Sequence, residues 1–304
     1  MLLRQATVDD NGGLLALEAM APPAGYAAPP RSNFFSRSSA YDRAVHIVAV
    51  LDGQIVGVQS GALKRMRLAG RMVTGGILFN LRVHPNYRRQ RIGAHLKAAV
   101  EDRLAAAGAA YVYCYVGSEN EANQSLLKKQ GYKQAASVVF NLIRCDAICQ
   151  GRDTVKIGDI TGLPDIMEAS EAFYREHDGV PHSRLLELYR NSCQRYAGSV
   201  VVQSGNSRAW GSIWAENGDA KSTSMMFDVG CEGECGPDLF AQVTSHVLQA
   251  RPASQIMLAV DVEDDVILGM VGQRANRMRE EFVMMKWLTH ATTCRRPFYF
   301  DVRD

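Results

Sequence analysis

The sequence lacks several features that would each have indicated a class of protein directly. No apolar run approaches the ~20 residues of a membrane-spanning helix. Residues 1–10 have neither the apolar core nor the small-residue cleavage site of a secretion signal. The net charge is only +2, which gives no case for a nucleic acid or an anionic membrane as a partner.

Cysteines are present but form no pattern of pairs. There are seven, an odd number, in mostly apolar surroundings. This predicts reduced thiols and a cytoplasmic protein. Cys231 and Cys235 are close enough to suggest a metal site, but neither a second cysteine pair nor nearby histidines accompany them. We therefore predict no metal.

The chain repeats itself with a period near half its length. Residues 2–17 resemble residues 154–169, each a strand, an N-capping residue and an amphipathic helix. Later elements recur in the same order: hairpins at 46–62 and 199–215, strands at 77–81 and 225–229, strands at 110–116 and 255–260, and final strands at 137–143 and 282–287.

This repeat predicts two similar α/β halves, 1–150 and 151–304, with a boundary at residues 149–153. The length of 304 residues suits either two average domains or one large one. An alternative is a single mixed sheet shared by both halves, in which residues 298–302 cross over as a final strand.

The most informative stretch lies after the strand at residues 77–83. A turn containing Pro85 leads into a basic loop at residues 88–93, and a helix follows at residues 94–107. This arrangement aims free backbone N–H groups and the positive end of a helix dipole at one point, which suits a pyrophosphate. Leu96, Val100 and Leu104 should pack on the sheet, with Lys97 and Glu101 as an outward pair.

This loop resembles the acyl-CoA-binding motif of the GNAT superfamily of N-acetyltransferases, Arg/Gln-x-x-Gly-x-Gly/Ala. Arg88, Ile92 and Gly93 fit the motif, whereas Arg91 stands where the first glycine is expected. The side chain of Arg91 either blocks the phosphate or points outward, in which case Gly93 supplies the close backbone approach.

A second segment, residues 120–132, resembles the family's Asn-x-x-Ala/Ser-x-x-Leu-Tyr-x-Lys-x-Gly-Phe run. It matches at Asn120, Leu126, Lys129, Gly131 and Tyr132. The resemblance implies two GNAT-like domains, each with a mostly antiparallel twisted sheet flanked by helices, and acetyl-CoA as cofactor. The cofactor-binding residues that it implies are Leu81, Arg82, Val83, Arg88, Arg89, Gln90, Arg91, Ile92, Gly93, Ala94, Asn120 and Asn123. Asn120 also fits a helix N-cap.

The catalytic groups usual in the family are missing. The position of the usual tyrosine acid is Leu127, and the strand at 77–83 contains no Asp or Glu. Asn80, His84 and Tyr113 are therefore weak catalytic candidates. Tyr113 belongs to an alternating stripe with Tyr111 and Tyr115, which is more typical of a core.

The resemblance also places the acceptor beside residues 20–41, as an irregular lid or a plain surface connection. The basic hairpin tip of Lys64, Arg65, Arg67 and Arg71 favours a solvated turn, with an acidic acceptor or a second protein as alternative contacts.

In the second half, Glu232 and Glu234 stand in the loop at residues 230–237 that corresponds to the basic loop. Because these charges repel phosphate, we expect a degenerate copy there. His177, Asp178, His182 and Glu187 are interpreted as scattered surface polar residues.

These features predict an acetyl-CoA-dependent N-acetyltransferase whose acceptor is a primary amine of a small molecule or a protein, attacked directly. The alternative is a non-catalytic GNAT-fold module for protein assembly or CoA sensing. The sequence identifies neither the acceptor nor the oligomeric state.

Overall fold

The structure, a computed structural model, describes residues 1–22, 31–39, 41, 43–144, 169–180, 196–215, 224–234, 236–250, 255–272, 275–289 and 297–299. The strands in these ranges are β1 (Leu2–Gln5), β2 (Ala44–Leu51), β3 (Gln54–Leu68), β4 (Arg71–Val83), β5 (Tyr111–Gly117), β6 (Lys133–Arg144), β7 (Tyr196–Ser204), β8 (Ser207–Ala215), β9 (Ser224–Glu232), β10 (Gln255–Asp261) and β11 (Ala275–Trp287). The helices are α1 (Asn11–Met20), α2 (Ile92–Ala106), α3 (Glu121–Lys129), α4 (Gly236–Ala250) and α5 (Asp265–Val271).

The described strands form one sheet in the order β1-β2-β3-β4-β5-β11-β6-β10-β9-β8-β7. Neighbouring strands are antiparallel except for the pairs β4–β5 and β9–β10. A mostly antiparallel sheet flanked by helices agrees with the predicted fold class. The sheet, however, runs without interruption through both halves of the chain.

The halves are joined because their final strands are exchanged. Strand β11, from the second half, lies between β5 and β6 of the first half, antiparallel to both. Strand β6 pairs on its other side with β10. The sequence alternative of one shared sheet thus describes the observed topology, but the crossing strand is β11. Of the expected crossing strand at 298–302, Phe298 and Tyr299 are described, and Phe298 makes a single bridge to Asp178. Residues 300–302 lie outside the described residues. The predicted boundary at 149–153 and the strand at 154–160 lie outside the described residues, so the division at 150/151 remains a prediction.

Helix α2 packs closely on one face of the sheet. Ile92, Leu96, Val100 and Leu104 are buried on its inner face, in one cluster with the alternate residues of β5. Two glycines of β3 make the close approach possible: a Cβ at Gly61 would lie 2.6 Å from Val100, and one at Gly57 would lie 2.9 Å from Leu96. This packing fixes the first turn of α2 beside the end of β4.

The prediction of an outward Lys97–Glu101 pair is wrong. The two residues are only 2% and 5% exposed. Glu101 instead accepts hydrogen bonds from the Tyr132 hydroxyl at 2.7 Å and from the ammonium of Lys286 at 2.6 Å. Lys286 lies on β11, so this buried carboxylate helps to hold the exchanged strand.

The prediction of a solvated hairpin tip holds for Arg65 and Arg71, which are exposed, and is wrong for Lys64 and Arg67. The Arg67 N–H donates to the carbonyl of Val180 at 2.9 Å, and the Gly179 N–H donates to the carbonyl of Arg67 at 2.8 Å. The Ala69 N–H donates to the carboxylate of Asp178 at 2.6 Å. The tip between β3 and β4 is therefore docked on the second half.

Two of the supposed surface polar residues belong to this buried contact region. His177 and Asp178 are 9% and 0% exposed, because residues 177–180 pack against the hairpin tip and the segment at 297–299. His182 and Glu187 lie outside the described residues.

Within the described ranges, no helix is both long and apolar enough to cross a membrane. Cys114 and Cys231 have free thiols, and burial raises the pKa of each. No group of three potential metal ligands occurs in the part of the chain that the structure describes; Cys235 lies outside it.

A buried histidine lies between the sheet and the segment after α1. His46 is within hydrogen-bond distance of the Ser38 hydroxyl at 3.0 Å and of the Ser60 hydroxyl at 2.8 Å, and the rings of Phe34 and Phe35 contact it edge-on. Burial, with a smaller contribution from Arg31, lowers the pKa of His46 to about 4.

This lowered pKa predicts a loss of stability in mild acid. The fold favours neutral His46, so its contribution is present above pH 6.5 and is lost as the pH falls towards 4. Between pH 7 and pH 5 the wild type should lose about 2 kcal/mol more free energy of unfolding than His46→Asn. Urea unfolding at the two pH values measures this, with exposed His95→Asn as the control that should behave like the wild type. Equal losses in all three proteins would contradict it.

Candidate functional site

A gap opens between the two parallel strands of the first half. The register of β4 and β5 covers only Gly76↔Val112 and Ile77↔Tyr113. Beyond it, residues 78–83 and 114–117 border an opening that we call the strand gap. Its cause is a bulge in β4, where Asn80 has a φ of 56° and the pairing with β3 shifts register.

Backbone donors of β4 face this gap. The His84 N–H donates to the carbonyl of Val56 on β3 at 2.9 Å. Because N–H groups alternate in direction along a strand, those of Val83 and Leu81 point to the other side, towards β5. The gap is thus lined by two N–H groups that could stabilise a developing negative charge.

The loop predicted to bind pyrophosphate lies at one end of the gap. A short 3₁₀ turn, Pro85–Tyr87, is capped by His84, whose Nδ1 accepts from the Asn86 N–H at 3.2 Å. Helix α2 then begins at Ile92 without a side-chain cap. The first N–H groups of a helix need acceptors from outside it, so this turn is open to an anion. Arg88, Arg89 and Arg91 are exposed around it.

The structure shows how Arg91 is accommodated at the position where the family motif has a glycine. Arg91 adopts a left-handed conformation, with φ of 60° and ψ of 9°, which a glycine would adopt more readily. Its side chain is exposed, in agreement with the outward alternative. At Gly93 an added Cβ would make only ordinary contacts, the nearest being Leu126 at 3.7 Å. Protein packing therefore does not require a glycine at position 93.

The second matching segment lies beside this loop. The Asn120 side chain caps α3 by accepting from the Asn123 N–H at 3.2 Å, so its capping role is observed. The Asn123 Oδ1 is buried and has no hydrogen-bond partner in the described part of the chain. Leu127 is fully buried in the α2-side core, and no proton donor occupies that position.

The three weak catalytic candidates are not brought together. Asn80 lies at the bulge that opens the gap. His84 lies at the start of the loop and serves as its cap. Tyr113 is fully buried in the apolar cluster on the sheet face opposite α2, while Cys114 faces α2. The alternation predicted for this strand is thus observed, and the site of Tyr113 matches the core interpretation.

A carboxylate that the sequence did not indicate reaches this site from the second half. Glu281 on β11 pairs with Gly117 at the end of β5, and Val283 pairs with Tyr115. Opposed residues of neighbouring strands share a face, so Glu281 lies on the same face as Tyr115, away from α2. Burial raises the pKa of Glu281, Glu119 adds to this, and the charges of Arg279 and Arg37 oppose it. No local pattern identifies Glu281, because its role depends on the strand exchange.

Two arginines share that face. The Arg37 guanidinium lies 4.9 Å above the ring of Phe79 and donates to the Asn80 Oδ1 at 3.4 Å. Burial lowers the pKa of Arg82. The charges of Arg37 and Arg31 lower this pKa further, whereas the charge of Glu18 raises it. The Arg82 side chain therefore lies near α1 and the segment after it, on the face opposite α2. The part of Arg82 in cofactor binding remains a prediction.

The described part of residues 20–41 covers this same face. Its 3₁₀ turn, Phe34–Ser38, carries Arg37, and Phe34 is buried against α1 and the strands β2 and β3. Arg31 and Glu18 form an ion pair at 2.8 Å. Residues 23–30 of the expected lid lie outside the described residues.

The corresponding gap of the second half is narrowed to a small cavity. Strands β9 and β10 pair only through residues 224–226 and 256–258, and Asp228 has a φ of 53°, as Asn80 does in the first half. The Tyr299 hydroxyl donates to the Asp228 carboxylate at 2.6 Å, and the Phe298 N–H donates to that of Asp261 at 2.6 Å. The side chains of Phe298 and Tyr299 thus line this cavity and restrict access to it.

Comparison with known proteins agrees with this geometry. Residues 14–132 match the model of the acetyltransferase (GNAT) family. A GCN5-related N-acetyltransferase from Kribbella flavida superposes with a TM-score of 0.66 at 14% identity, covering 94% of this chain and 71% of that chain. A GCN5-related N-acetyltransferase from Sphaerobacter thermophilus superposes with a TM-score of 0.64 at 15% identity, covering 96% of each chain. A tandem GNAT protein from the clavulanic acid biosynthesis pathway superposes with a TM-score of 0.64 at 13% identity, covering 96% of this chain and 99% of that chain. No protein of curated function matches the sequence. At these identities the structural matches show a shared fold.

The left-handed Arg91 yields a prediction about stability. Because glycine adopts this conformation at lower cost, Arg91→Gly should raise the free energy of unfolding by about 0.5–1 kcal/mol. Arg91→Ala removes the same side chain without relieving the backbone and should give no gain. Urea unfolding of both variants measures the difference. Equal stabilities of the Gly and Ala variants would show that the backbone at position 91 is not strained.

Proposed function

We propose that the protein is an acetyl-CoA-dependent N-acetyltransferase acting on a primary amine, because its residues 14–132 match the GNAT family of acetyltransferases. The observation that carries this proposal is the strand gap. An uncapped helix N-terminus with a basic loop lies at its α2 side, and a carboxylate lies on the opposite face.

The residues around the loop fit a CoA pyrophosphate. The open first turn of α2, residues 92–94, offers N–H donors, and Arg88, Arg89 and Arg91 offer charge-assisted hydrogen bonds. The buried Asn123 Oδ1 lacks a partner among the described residues and would accept from the amide part of the CoA arm. When bound, acetyl-CoA supplies an acetyl thioester, whose carbonyl carbon bonds to the amine nitrogen as the carbon–sulfur bond breaks and CoA leaves as the thiol.

The chain's own residues then have distinct roles. The N–H groups of Leu81 and Val83 point into the gap and stabilise negative charge on an oxygen held there. Glu281 accepts the proton that the amine nitrogen loses, and its raised pKa makes it a better base than an exposed carboxylate. Leu127 supplies no proton, so general-acid help does not come from that position.

A non-catalytic CoA-sensing or assembly module is the second candidate. It is favoured by the buried Leu127 and by the narrowed gap of the second half. The open gap of the first half and the position of Glu281 favour the enzyme.

Calorimetry with acetyl-CoA tests the binding half of the proposal. We expect saturable binding to the wild type and about 10-fold weaker binding to Arg88→Ala, because one charge-assisted hydrogen bond is lost. The control Arg103→Ala removes an exposed arginine from the last turn of α2 and should bind as the wild type does. Absence of binding would overturn the proposed function.

Turnover tests the role of Glu281. Release of CoA thiol with a panel of amines should fall about 100-fold in kcat for Glu281→Gln, with unchanged affinity for acetyl-CoA. Wild-type activity should fall as the pH drops through the raised pKa of Glu281, and the variant should lose this limb of the profile.

The neighbouring Glu280→Gln is the matched control. Glu280 points to the other face of β11 and pairs with Arg277 at 2.9 Å. It should retain wild-type turnover. If acetyl-CoA binds but no amine reacts, the sensing module is the better description.

A further inference from the structure

Three buried hydrogen-bond donors remain without acceptors on the face of the strand gap opposite α2. They are the Nε of Arg37, the Nε of Arg82 and the Nδ2 of Asn80, and none has a partner within the described residues. Buried donors are normally paired, because leaving one unpaired costs about 1–3 kcal/mol. Three at one place indicate a missing acceptor.

The charges at this place lead to the same conclusion. Arg37 and Arg82 are close enough for the charge of Arg37 to lower the pKa of Arg82. In the described ranges no carboxylate forms an ion pair with either one: Glu18 pairs with Arg31 at 2.8 Å, and Glu281 with Arg279 at 3.6 Å. Two neighbouring, partly buried positive charges are costly without an anion between them.

The donors are also held in place. Arg37 stacks over Phe79 and donates to Asn80, and Asn80 is fixed by the bulge of β4. Arg82 donates through Nη1 to the carbonyl of Leu81 at 2.9 Å. Their positions therefore do not depend on a ligand. The phosphates of CoA would lie at the loop on the α2 side, so this second cationic site serves a different anion.

We propose that Arg37, Arg82 and Asn80 bind a carboxylate of the acceptor, so that the acceptor is an amine that also carries an acidic group, such as an amino acid. This inference rests on the proposed acetyl transfer. A planar carboxylate matches the fork of a guanidinium, and the amide of Asn80 adds a third donor. Glu281 lies close enough to feel the charge of Arg37 and would attract the ammonium end of the same molecule.

Binding is measured first, on the whole chain and without acetyl-CoA. The probes are glycine, β-alanine, 4-aminobutyrate and 6-aminohexanoate, each compared with the alkylamine that lacks its carboxyl group, at constant ionic strength. At least one amino acid should raise Tm by about 2 °C or more, and its matched amine should not. A short peptide with a free amino terminus and an acidic second residue tests a peptide source of the same carboxylate.

Variants assign the effect to the proposed residues. Arg37→Gln and Arg82→Gln should lose the rise in Tm, and Arg103→Gln, an exposed arginine elsewhere, should keep it. Asn80→Asp places a carboxylate beside Arg37. It should raise the stability of the ligand-free protein and abolish the response to amino acids, which keeps the inference testable if a glutamine variant fails to fold.

Turnover gives the second readout. With acetyl-CoA, the wild type should prefer the amino acid over the matched amine by about 10-fold or more in kcat/KM, and Arg82→Gln should reduce this ratio to about one. Equal efficiencies in the wild type, or a preference that survives in both glutamine variants, would overturn the carboxylate site while leaving acetyl transfer intact. Failure of acetyl-CoA to bind would overturn acetyl transfer alone, because the Tm measurements do not depend on it.

Discussion

The backbone hydrogen bonds of β11 to β5 on one side and to β6 on the other hold the parts of the site in place. They turn two half-sheets into one, and they bring Glu281 to the end of β5. The same strand carries Lys286 to the buried Glu101 of α2. Helix α2, whose first turn is open, and strand β11, which carries Glu281, are therefore tied by one partly buried ion pair. The docked hairpin tip and residues 177–180 add a second connection between the halves.

The two halves share a left-handed residue next to their parallel strand pair, but the side chains around this residue differ. Asn80 and Asp228 each take a left-handed conformation and each end the pairing of two parallel strands. In the second half the opening is narrowed, since the hydroxyls of Ser212 and Tyr299 both donate to the Asp228 carboxylate at 2.6 Å. In the first half Asn80 meets an arginine instead, and the surrounding donors have no internal acceptor in the described ranges. The difference lies in the side chains that meet at the bulge.

Local features of the site could be predicted from the sequence, because they depend on neighbouring residues. The order of β4, loop and α2, the buried face of α2 and the alternation along β5 all follow from spacing and composition. The outward placement of Lys97 and Glu101 was wrong because the partner, Lys286, comes from far along the chain. The same holds for Arg67 and Asp178. Glu281 could not be identified because nothing near it in the sequence shows that β11 lies beside β5.

The exchanged strand also determines when the site can exist during synthesis. On a translating ribosome, β5 and β6 emerge long before β11, which belongs between them. Until β11 arrives, both strands expose edges that can pair with each other or with another chain. Contacts between such distant segments close large loops, so they form slowly compared with those of α2 on β3. A nascent first half thus has the basic loop at the start of α2 before it has Glu281, and its unpaired strand edges expose it to aggregation until β11 is made.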